Sequence, residues 1–311
     1  MKLINRIKLL LPKRYKRLLQ KIYLLPKHGG FAYIPGDSYS SLVKKINRYY
    51  TKYPEKKTAF EAEINHLNTL NTDDGYAYVF PYSFVANYNQ HSIDVQKDEA
   101  VNLFYVLHKG KKLYYNVSYD TIEKVQYAYN CTSIEQDAKS PHCYVNTDFN
   151  VPKNAVVLDI GAAEGNFALE IIEDIKHLYL FEPDPKWIPA LEATYQPWKE
   201  KVTIINKFVS NYNDDNCVSL DVVLKGVQVD FIKMDVEGYE RSILDGAQEL
   251  LKQKGIKLSI CTYHHNEDYD LLQQLLEKYH FKCLPSDGYM LLVYAPLTPP
   301  FFRKGLLRAQ L

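Results

Sequence analysis

The segment VVLDIGAAEGNFALEII, which begins at Val156, has the pattern of a strand, a tight turn and a helix. Apolar residues run into Asp159, Gly161 and Gly165 mark the turn, and the residues after Gly165 have helical spacing. Repeated units of this kind build a mostly parallel sheet with helices on both faces. This segment therefore constrains the fold more than any other part of the chain.

The same alternation continues from Val151 to the end of the chain and predicts an α/β, Rossmann-like fold. Five strands are predicted, at 155–160, 177–181, 202–208, 229–234 and 256–262. Helices are predicted between them, at 167–175, 186–195, 239–254 and 268–279. The last predicted element is an antiparallel hairpin in KCLPSDGYMLLVYAP, with its turn at Asp287-Gly288.

Three regions are expected along the 311 residues. Residues 1–30 form a basic amphipathic arm, residues 31–130 an α+β accessory or substrate region, and residues 131–311 the cofactor-binding domain. Within the middle region, VNLFYVLHKGKKLYYNVS predicts a β-hairpin around a Lys-Gly turn.

The charge is unevenly distributed, although the net charge is only +1. No Asp or Glu occurs in the first 36 residues and nine Lys or Arg precede Gly30, so the remainder is acidic. Apolar residues of this arm recur with helical spacing, and Pro12 interrupts them. Two interpretations stay open, because such a helix can bind an anionic membrane through residues 1–28 or pack on its own domain.

Five widely spaced cysteines without a C-x-x-C motif indicate neither a disulfide framework nor a zinc site. No apolar run is long enough to cross a bilayer, and the amino-terminal residues lack the pattern of a signal peptide. We therefore expect a cytoplasmic protein, peripheral on the inner face of the membrane if the arm binds lipid.

The glycine turn does not match a dinucleotide fingerprint, which requires G-x-G-x-x-G. Counted from Gly161, the second and third glycine positions hold Ala163 and Asn166, and no phosphate-binding Gly-Lys-Ser or Gly-Lys-Thr follows. The turn instead reads D-x-G-x-x-x-G, and a carboxylate at the end of the strand suits a cationic ligand better than a phosphate.

The next strand ends in FEPDP, which places Glu182 beside the glycine turn, where a carboxylate can bind ribose hydroxyls. A nucleoside without a pyrophosphate and with a cationic group fits this pattern, as in S-adenosylmethionine. The predicted cofactor contacts are Asp159, Gly161, Ala162, Glu164, Gly165, Glu182 and Ser210, the last at the adenine. Ser140 and His142, before the first strand, are expected to close over the cofactor.

DIGAAEG, FEPDP and VDFIKMDVEGYERSILDGA, in this order and spacing, resemble the FkbM-like family of S-adenosylmethionine-dependent methyltransferases. The resemblance covers the chain from about residue 135 onward and implies the class I methyltransferase fold. It also implies O-methylation, often of sugars or of hydroxyls on secondary metabolites. The expected acceptor is a glycan or lipid-linked glycan precursor, with a non-sugar metabolite or a non-catalytic binding protein as alternatives.

A nucleic-acid methyltransferase is disfavoured, because the body of the protein is acidic and contains no N-P-P-Y motif.

Methyl transfer to a hydroxyl requires alignment of the oxygen and removal of its proton. The candidate catalytic residues are Asp235, at the end of the fourth strand, and His264 and His265, after the fifth. In the first of two mechanisms, one of the two histidines is the general base, since a pKa near neutrality suits that task. Alternatively, Asp235, Glu237 and His264 hold Mg²⁺ or Mn²⁺, which lowers the pKa of the hydroxyl.

Overall fold

A computed structural model describes residues 13–311, and these residues form two compact units. Unit 1 contains the described residues up to Ala86 and the segment Tyr289–Arg303, and unit 2 contains Asn87–Gly288 and Lys304–Leu311. The predicted boundaries lie elsewhere, at 30 and 130. The chain leaves unit 2 after Gly288 and returns at Lys304.

Unit 1 is mainly helical. Its helices are α1 (Lys13–Lys27), α2 (Tyr39–Lys52), α3 (Glu61–Leu67) and α4 (Gly75–Val79), with 3-10 turns at Pro54–Lys56, Thr58–Phe60 and Ser83–Asn87. Ser38 caps α2, because its Oγ accepts a hydrogen bond of 3.2 Å from the Ser41 amide. The segment Tyr289–Arg303 pairs with this unit through the bridge between Leu297 and Tyr33. The predicted arm 1–30 is described from Lys13 onward, and the rest of it lies outside the described residues.

Unit 2 begins with a 3-10 turn at Gln90–Ser92 and a three-stranded antiparallel sheet of β1 (Val95–Asp98), β2 (Leu103–His108) and β3 (Lys111–Tyr114). The predicted hairpin is confirmed, since β2 and β3 pair on either side of Lys109-Gly110. Helix α5 (Ile122–Glu135) follows and is capped by Thr121, whose Oγ1 accepts from the Lys124 amide.

The central sheet of unit 2 has seven strands in the order β11-β12-β10-β9-β4-β5-β6. These strands are β4 (Val156–Ile160), β5 (His177–Phe181), β6 (Val202–Ile205), β9 (Phe231–Met234), β10 (Lys257–Cys261), β11 (Lys282–Pro285) and β12 (Leu306–Gln310). Strand β12 runs antiparallel to both of its neighbours, and the others are parallel. This order is the class I methyltransferase arrangement, so the predicted fold class is confirmed.

Helices cover both faces of this sheet. They are α6 (Asn166–Ile171), α7 (Ile188–Tyr195), α8 (Leu220–Val223), α9 (Glu240–Asp245) and α10 (Asp268–Glu277), with 3-10 turns at Ile172–Asp174, Gln196–Lys201 and Leu250–Lys252. Val157 and Phe231 belong to the core on one face, and Leu158 and Ile232 to the core on the other. Burial on both faces explains why the strand sequences are continuously apolar. None of the described helices is long and apolar enough to cross a membrane.

Two predicted elements end well before their predicted bounds. The predicted strand 202–208 ends at Ile205, and Phe208–Val209 forms β7, which pairs with β8 (Cys217–Val218) in a separate small sheet. The predicted helix 239–254 ends at Asp245. At Gly246 the chain passes close to Ser210, and a β-carbon built at Gly246 would lie 2.3 Å from the Ser210 carbonyl oxygen. Only glycine fits at this position.

The carboxyl-terminal antiparallel pair is present, but its second strand is β12 rather than the residues after Asp287-Gly288. Ser286 joins the two distant segments. Its hydroxyl donates to the Pro141 carbonyl (2.6 Å) and accepts from the Leu306 amide (3.0 Å). Ser286 is only 1% exposed, and its side chain therefore aligns β12 with β11 from a buried position.

Replacing Ser286 with alanine should lower the free energy of unfolding by about 2 kcal/mol or more, because two buried backbone groups lose their partner. Urea unfolding followed by circular dichroism measures the change. Ser92→Ala is the matched control, since the Ser92 hydroxyl bonds the Asn89 carbonyl at an exposed position and should contribute little. Equal destabilisation by both variants would contradict the role assigned to Ser286.

Candidate functional site

A cavity of about 620 Å³ opens at the carboxyl ends of β4, β5 and β9. In parallel sheets this edge, beside the point where strand order reverses, is where ligands bind. Of the predicted site residues, Gly161, Glu182, Ser210, Asp235 and Glu237 line the cavity. The structure thus brings together residues that are up to 76 positions apart in the sequence.

Gly161 allows the turn after β4 to approach the end of β9. Its φ is +77°, and a β-carbon built there would lie 1.9 Å from the carbonyl oxygen of Asp235. The Asp235 amide in turn donates to the Ile160 carbonyl (3.0 Å). A residue with a side chain at position 161 would therefore separate the two strand ends that form the floor of the cavity.

A buried ion pair lies beneath this turn. Lys233 of β9 is the direct parallel neighbour of Asp159 on β4, and its Nζ lies 2.9 Å from Asp159 Oδ1. The same ammonium donates to the Gly161 carbonyl at 2.6 Å. Burial alone would lower the pKa of Lys233, but the negative charges of Asp159 and Asp235 raise it by more than burial lowers it. The ammonium therefore stays charged.

Asp159 is predicted to contact the cofactor, and the structure places it beside Lys233, beneath the turn. Its side chain is 1% exposed and it is not among the residues that line the cavity. Because Lys233 neutralises this carboxylate, Asp159 supports the turn rather than presenting a free negative charge.

Glu182 is oriented toward the cavity by two backbone amides. Its Oε2 accepts from Ala163 and its Oε1 from Asp184, both at 2.8 Å. Burial raises the pKa of Glu182, and these two hydrogen bonds oppose the rise. Each carboxylate oxygen retains a further lone pair, so the group can still accept hydrogen bonds from a ligand's hydroxyls.

Asp235 is held by two tyrosines and a histidine. Tyr144 donates its hydroxyl hydrogen to Oδ2 (3.0 Å) and Tyr263 to Oδ1 (3.1 Å), and His142 Nε2 lies 3.4 Å from Oδ2. Burial would raise the pKa of Asp235, but His142, Lys233 and His264 together hold it well below its usual range. Asp235 is therefore a fixed anion on the cavity wall.

His264 lies behind Asp235, and it is not among the residues that line the cavity. Its Nε2 is 3.6 Å from Asp235 Oδ1 and 3.7 Å from Glu237 Oε2, while its Nδ1 is 3.1 Å from Glu240 Oε1. Burial would lower the pKa of His264, and these three carboxylates raise it overall. His265, the second predicted histidine, is exposed, and its backbone amide bonds Asp268.

The remaining predicted contacts lie around the turn without lining the cavity. Ala162 is buried, and the Gly165 carbonyl accepts a hydrogen bond from Tyr195. Glu164 accepts from Thr132 of α5 (3.1 Å), and burial raises its pKa to about 7. Ser140 accepts from the His142 amide (3.1 Å), so it shapes the segment that brings His142 to Asp235.

Four residues of the site were not predicted from the sequence: Tyr144, Lys233, Glu240 and Tyr263. Lys233 had a detectable signal, because a lysine within the apolar strand sequence FIKM is unusual unless it is paired. Glu240 is 1% exposed and also carried a signal, as the second acid of the DVEGYE segment. The two tyrosines carried none, since the chain contains 27 of them.

Ligand atoms of Asp235, Glu240 and His264 lie within 4.8 Å of one another, as do those of His142, Asp235 and Cys261. The predicted metal set contained Glu237 instead of Glu240. Glu240 enters the cluster because its side chain turns inward, where its Oε1 also accepts from the Val236 amide (3.2 Å). The Glu237 side chain is 89% exposed.

Residues 192–283 match the family model described as the methyltransferase FkbM domain. The predicted resemblance to this family is confirmed over these residues, and the match supports methyl transfer as the activity. No curated protein has a sequence that matches this one.

Several solved structures resemble the chain at low identity. The methyltransferase FkbM from Methylobacillus flagellatus KT is 16% identical, with a TM-score of 0.42, and the match covers 61% of this chain and 54% of that one. An rRNA methylase from Streptococcus thermophilus is 15% identical, with a TM-score of 0.38, covering 51% and 88%. A Streptococcus mutans structure in complex with SAH is 14% identical, with a TM-score of 0.37, covering 51% and 90%.

Replacing Lys233 with methionine should lower the free energy of unfolding by about 3–5 kcal/mol, because the Asp159 carboxylate is left buried without its partner. Adding Asp159→Asn should restore part of this loss, since the isolated charge is then removed. Urea unfolding of both variants measures the two effects. Lys252→Met, which breaks an exposed pair with Glu249, is the control and should leave stability nearly unchanged. A Lys233→Met protein as stable as the wild type would contradict the assignment.

Proposed function

We propose that this protein is an S-adenosylmethionine-dependent O-methyltransferase that acts on a hydroxyl group of a glycan or lipid-linked glycan precursor. The observation that carries the proposal is the cavity shared by the Gly161 turn, Glu182 and Asp235. It combines a close backbone approach, an acceptor for ribose hydroxyls and a fixed anion, which are the groups that a nucleoside with a cationic end requires.

The methyl donor would be oriented by several groups that line this cavity. Glu182 would accept the ribose hydroxyls, and Ser210, which lines the same cavity, would contact the adenine. Asp235 would face the cationic end, because Lys233 already neutralises Asp159. The bound donor supplies an activated methyl group, and the protein's residues place the acceptor hydroxyl in line with it.

His264 is the proposed general base for the acceptor hydroxyl. Glu240 faces its Nδ1 at 3.1 Å and would hold a proton on that nitrogen, so a bound hydroxyl would pass its proton to Nε2 when the imidazole is neutral. Nε2 faces the gap between Asp235 and Glu237, and both of these residues line the cavity. A hydroxyl bound in this gap would donate to Nε2, while Asp235 would fix its orientation.

A divalent cation is the second candidate for activating the hydroxyl. Asp235 and His264, with Glu237 or Glu240, supply the oxygen and imidazole ligands that would hold Mg²⁺ or Mn²⁺. The ligand atoms of Asp235, Glu240 and His264 lie within 4.8 Å of one another, which fits such an ion. When bound, the ion would lower the pKa of a coordinated hydroxyl.

A sugar acceptor is favoured by the aromatic side chains around the cavity. Phe208, Tyr212 and Tyr239 belong to its lining and are 57%, 53% and 67% exposed. Aromatic faces suit sugar rings, and a tyrosine hydroxyl can bond the ring's hydroxyl groups. The exposed carboxylate of Glu237 adds a hydrogen-bond acceptor beside them. A non-sugar metabolite is the alternative acceptor, and a protein that binds the donor without transferring its methyl group is the alternative outside catalysis.

Titration calorimetry should show binding of S-adenosylmethionine or its demethylated product, and no comparable binding of NAD. Glu182→Ala should weaken binding by about 1–3 kcal/mol, because the ribose hydroxyls lose their acceptor. Glu200→Ala, at an exposed position after α7, is the control and should bind normally. Tight NAD binding without any response to S-adenosylmethionine would overturn the proposal.

Incubation with labelled S-adenosylmethionine and a panel of glycan precursors tests catalysis. His264→Ala should lower turnover by about 10²–10⁴-fold with little effect on donor binding, while His265→Ala should retain activity. If a metal is used instead, a chelator should abolish activity and Mg²⁺ or Mn²⁺ should restore it. Full activity of His264→Ala in the presence of a chelator would exclude both mechanisms.

A further inference from the structure

Helix α1 has one face turned toward unit 1, to which it belongs. Arg17 and Lys21, one turn apart, lie 2.6 Å and 2.9 Å from the Asp37 carboxylate, which also pairs with Lys45 at 3.2 Å. A β-carbon built at Gly36 would lie 3.3 Å from the Arg17 guanidinium carbon. Burial alone would raise the pKa of Asp37, but these three cations hold it well below its usual range.

This attachment fixes the rotation of the helix about its axis. Residues 17, 21, 24 and 28 follow one another at helical spacing, so the positions near them face inward. Residues 19, 22, 23 and 26 lie on the opposite side of the helix. Asp37 therefore determines which side chains of α1 face the solvent.

The outward side is apolar. Leu19, Ile22 and Tyr23 are 44%, 62% and 65% exposed, and Pro26 is also exposed. These four side chains form a continuous stripe, which we call the outer face of α1. An exposed apolar stripe of this kind marks a surface that binds a membrane or another molecule.

Charge complementarity identifies the occupant. Nine Lys or Arg and no Asp or Glu precede Gly30. Lys27, at the end of the helix, lies 5.5 Å from the centre of the Tyr23 ring, at the border of the outer face. A short helix with an apolar stripe, flanking cations and no acid suits the interface of an anionic bilayer, where the stripe enters the acyl region and the cations meet the headgroups.

We propose that the outer face of α1, formed by Leu19, Ile22, Tyr23 and Pro26, docks the protein on an anionic membrane. Arg17 and Lys21 are paired with Asp37 on the inward side. Their role is to orient the helix. The proposal concerns unit 1 and is independent of the methyl acceptor.

Co-sedimentation of the full chain with vesicles tests the proposal. The wild type should pellet with phosphatidylcholine vesicles that contain phosphatidylserine, weakly with phosphatidylcholine alone, and less as salt screens the charges. The triple variant Leu19→Ser, Ile22→Ser, Tyr23→Ser keeps every charge and should lower the partition coefficient by about tenfold or more. Equal pelleting of this variant and the wild type would overturn the proposal, as would an absence of wild-type pelleting.

The matched control removes three apolar side chains of similar exposure from unit 2. Leu107, Val222 and Leu284 are 56%, 61% and 53% exposed, and their replacement by serine should leave pelleting unchanged. Circular dichroism of both triple variants verifies that they are folded. A loss of binding in the control equal to that of the α1 variant would show a nonspecific effect and overturn the proposal.

Insertion can be measured without relying on a loss of binding. Tyr23→Trp should show a blue shift of its added emission with anionic vesicles and quenching by brominated lipid, whereas Leu284→Trp should show neither. A Tyr23→Trp protein that pellets with unchanged emission would show purely electrostatic adsorption and would overturn the role of the outer face.

Discussion

The buried ion pair between Lys233 and Asp159 determines how the glycine turn meets the sheet. The two residues are direct neighbours on β9 and β4, and the ammonium of Lys233 also binds the Gly161 carbonyl. A single side chain thus connects the two strands on either side of the reversal in strand order. The cavity depends on this connection, because the Gly161 turn and the end of β9 together form its floor.

The same pair decides where negative charge remains in the site. Lys233 neutralises Asp159, so Asp235 is the acid that presents its charge to the cavity. Two tyrosine hydroxyls and the His142 imidazole fix its carboxylate. A preoriented anion needs little reorganisation when a cationic ligand binds. Such an anion is expected in a site that binds a cationic methyl donor.

Much of the fold could be predicted from local patterns. Strand β5 agrees with its prediction at both ends, and β4 and β10 agree within one residue. Two predictions were wrong for a common reason: the length of the helix predicted at 239–254, and the strand predicted to pair with β11. Each depends on a distant segment, Ser210 beside Gly246 in the first case and Leu306 bonded to Ser286 in the second.

The sequence by itself determined the parallel sheet, the position of the glycine turn and the acids at the strand ends, because hydrophobic period and glycine placement are local properties. The lining of the cavity by Gly161, Glu182, Ser210, Asp235 and Glu237 follows from that topology. Only the tertiary structure decided that Asp159 is neutralised, that His264 and not His265 approaches Asp235, and that Glu240 turns inward. These outcomes depend on contacts between residues far apart in the chain, whose side-chain directions no local pattern specifies.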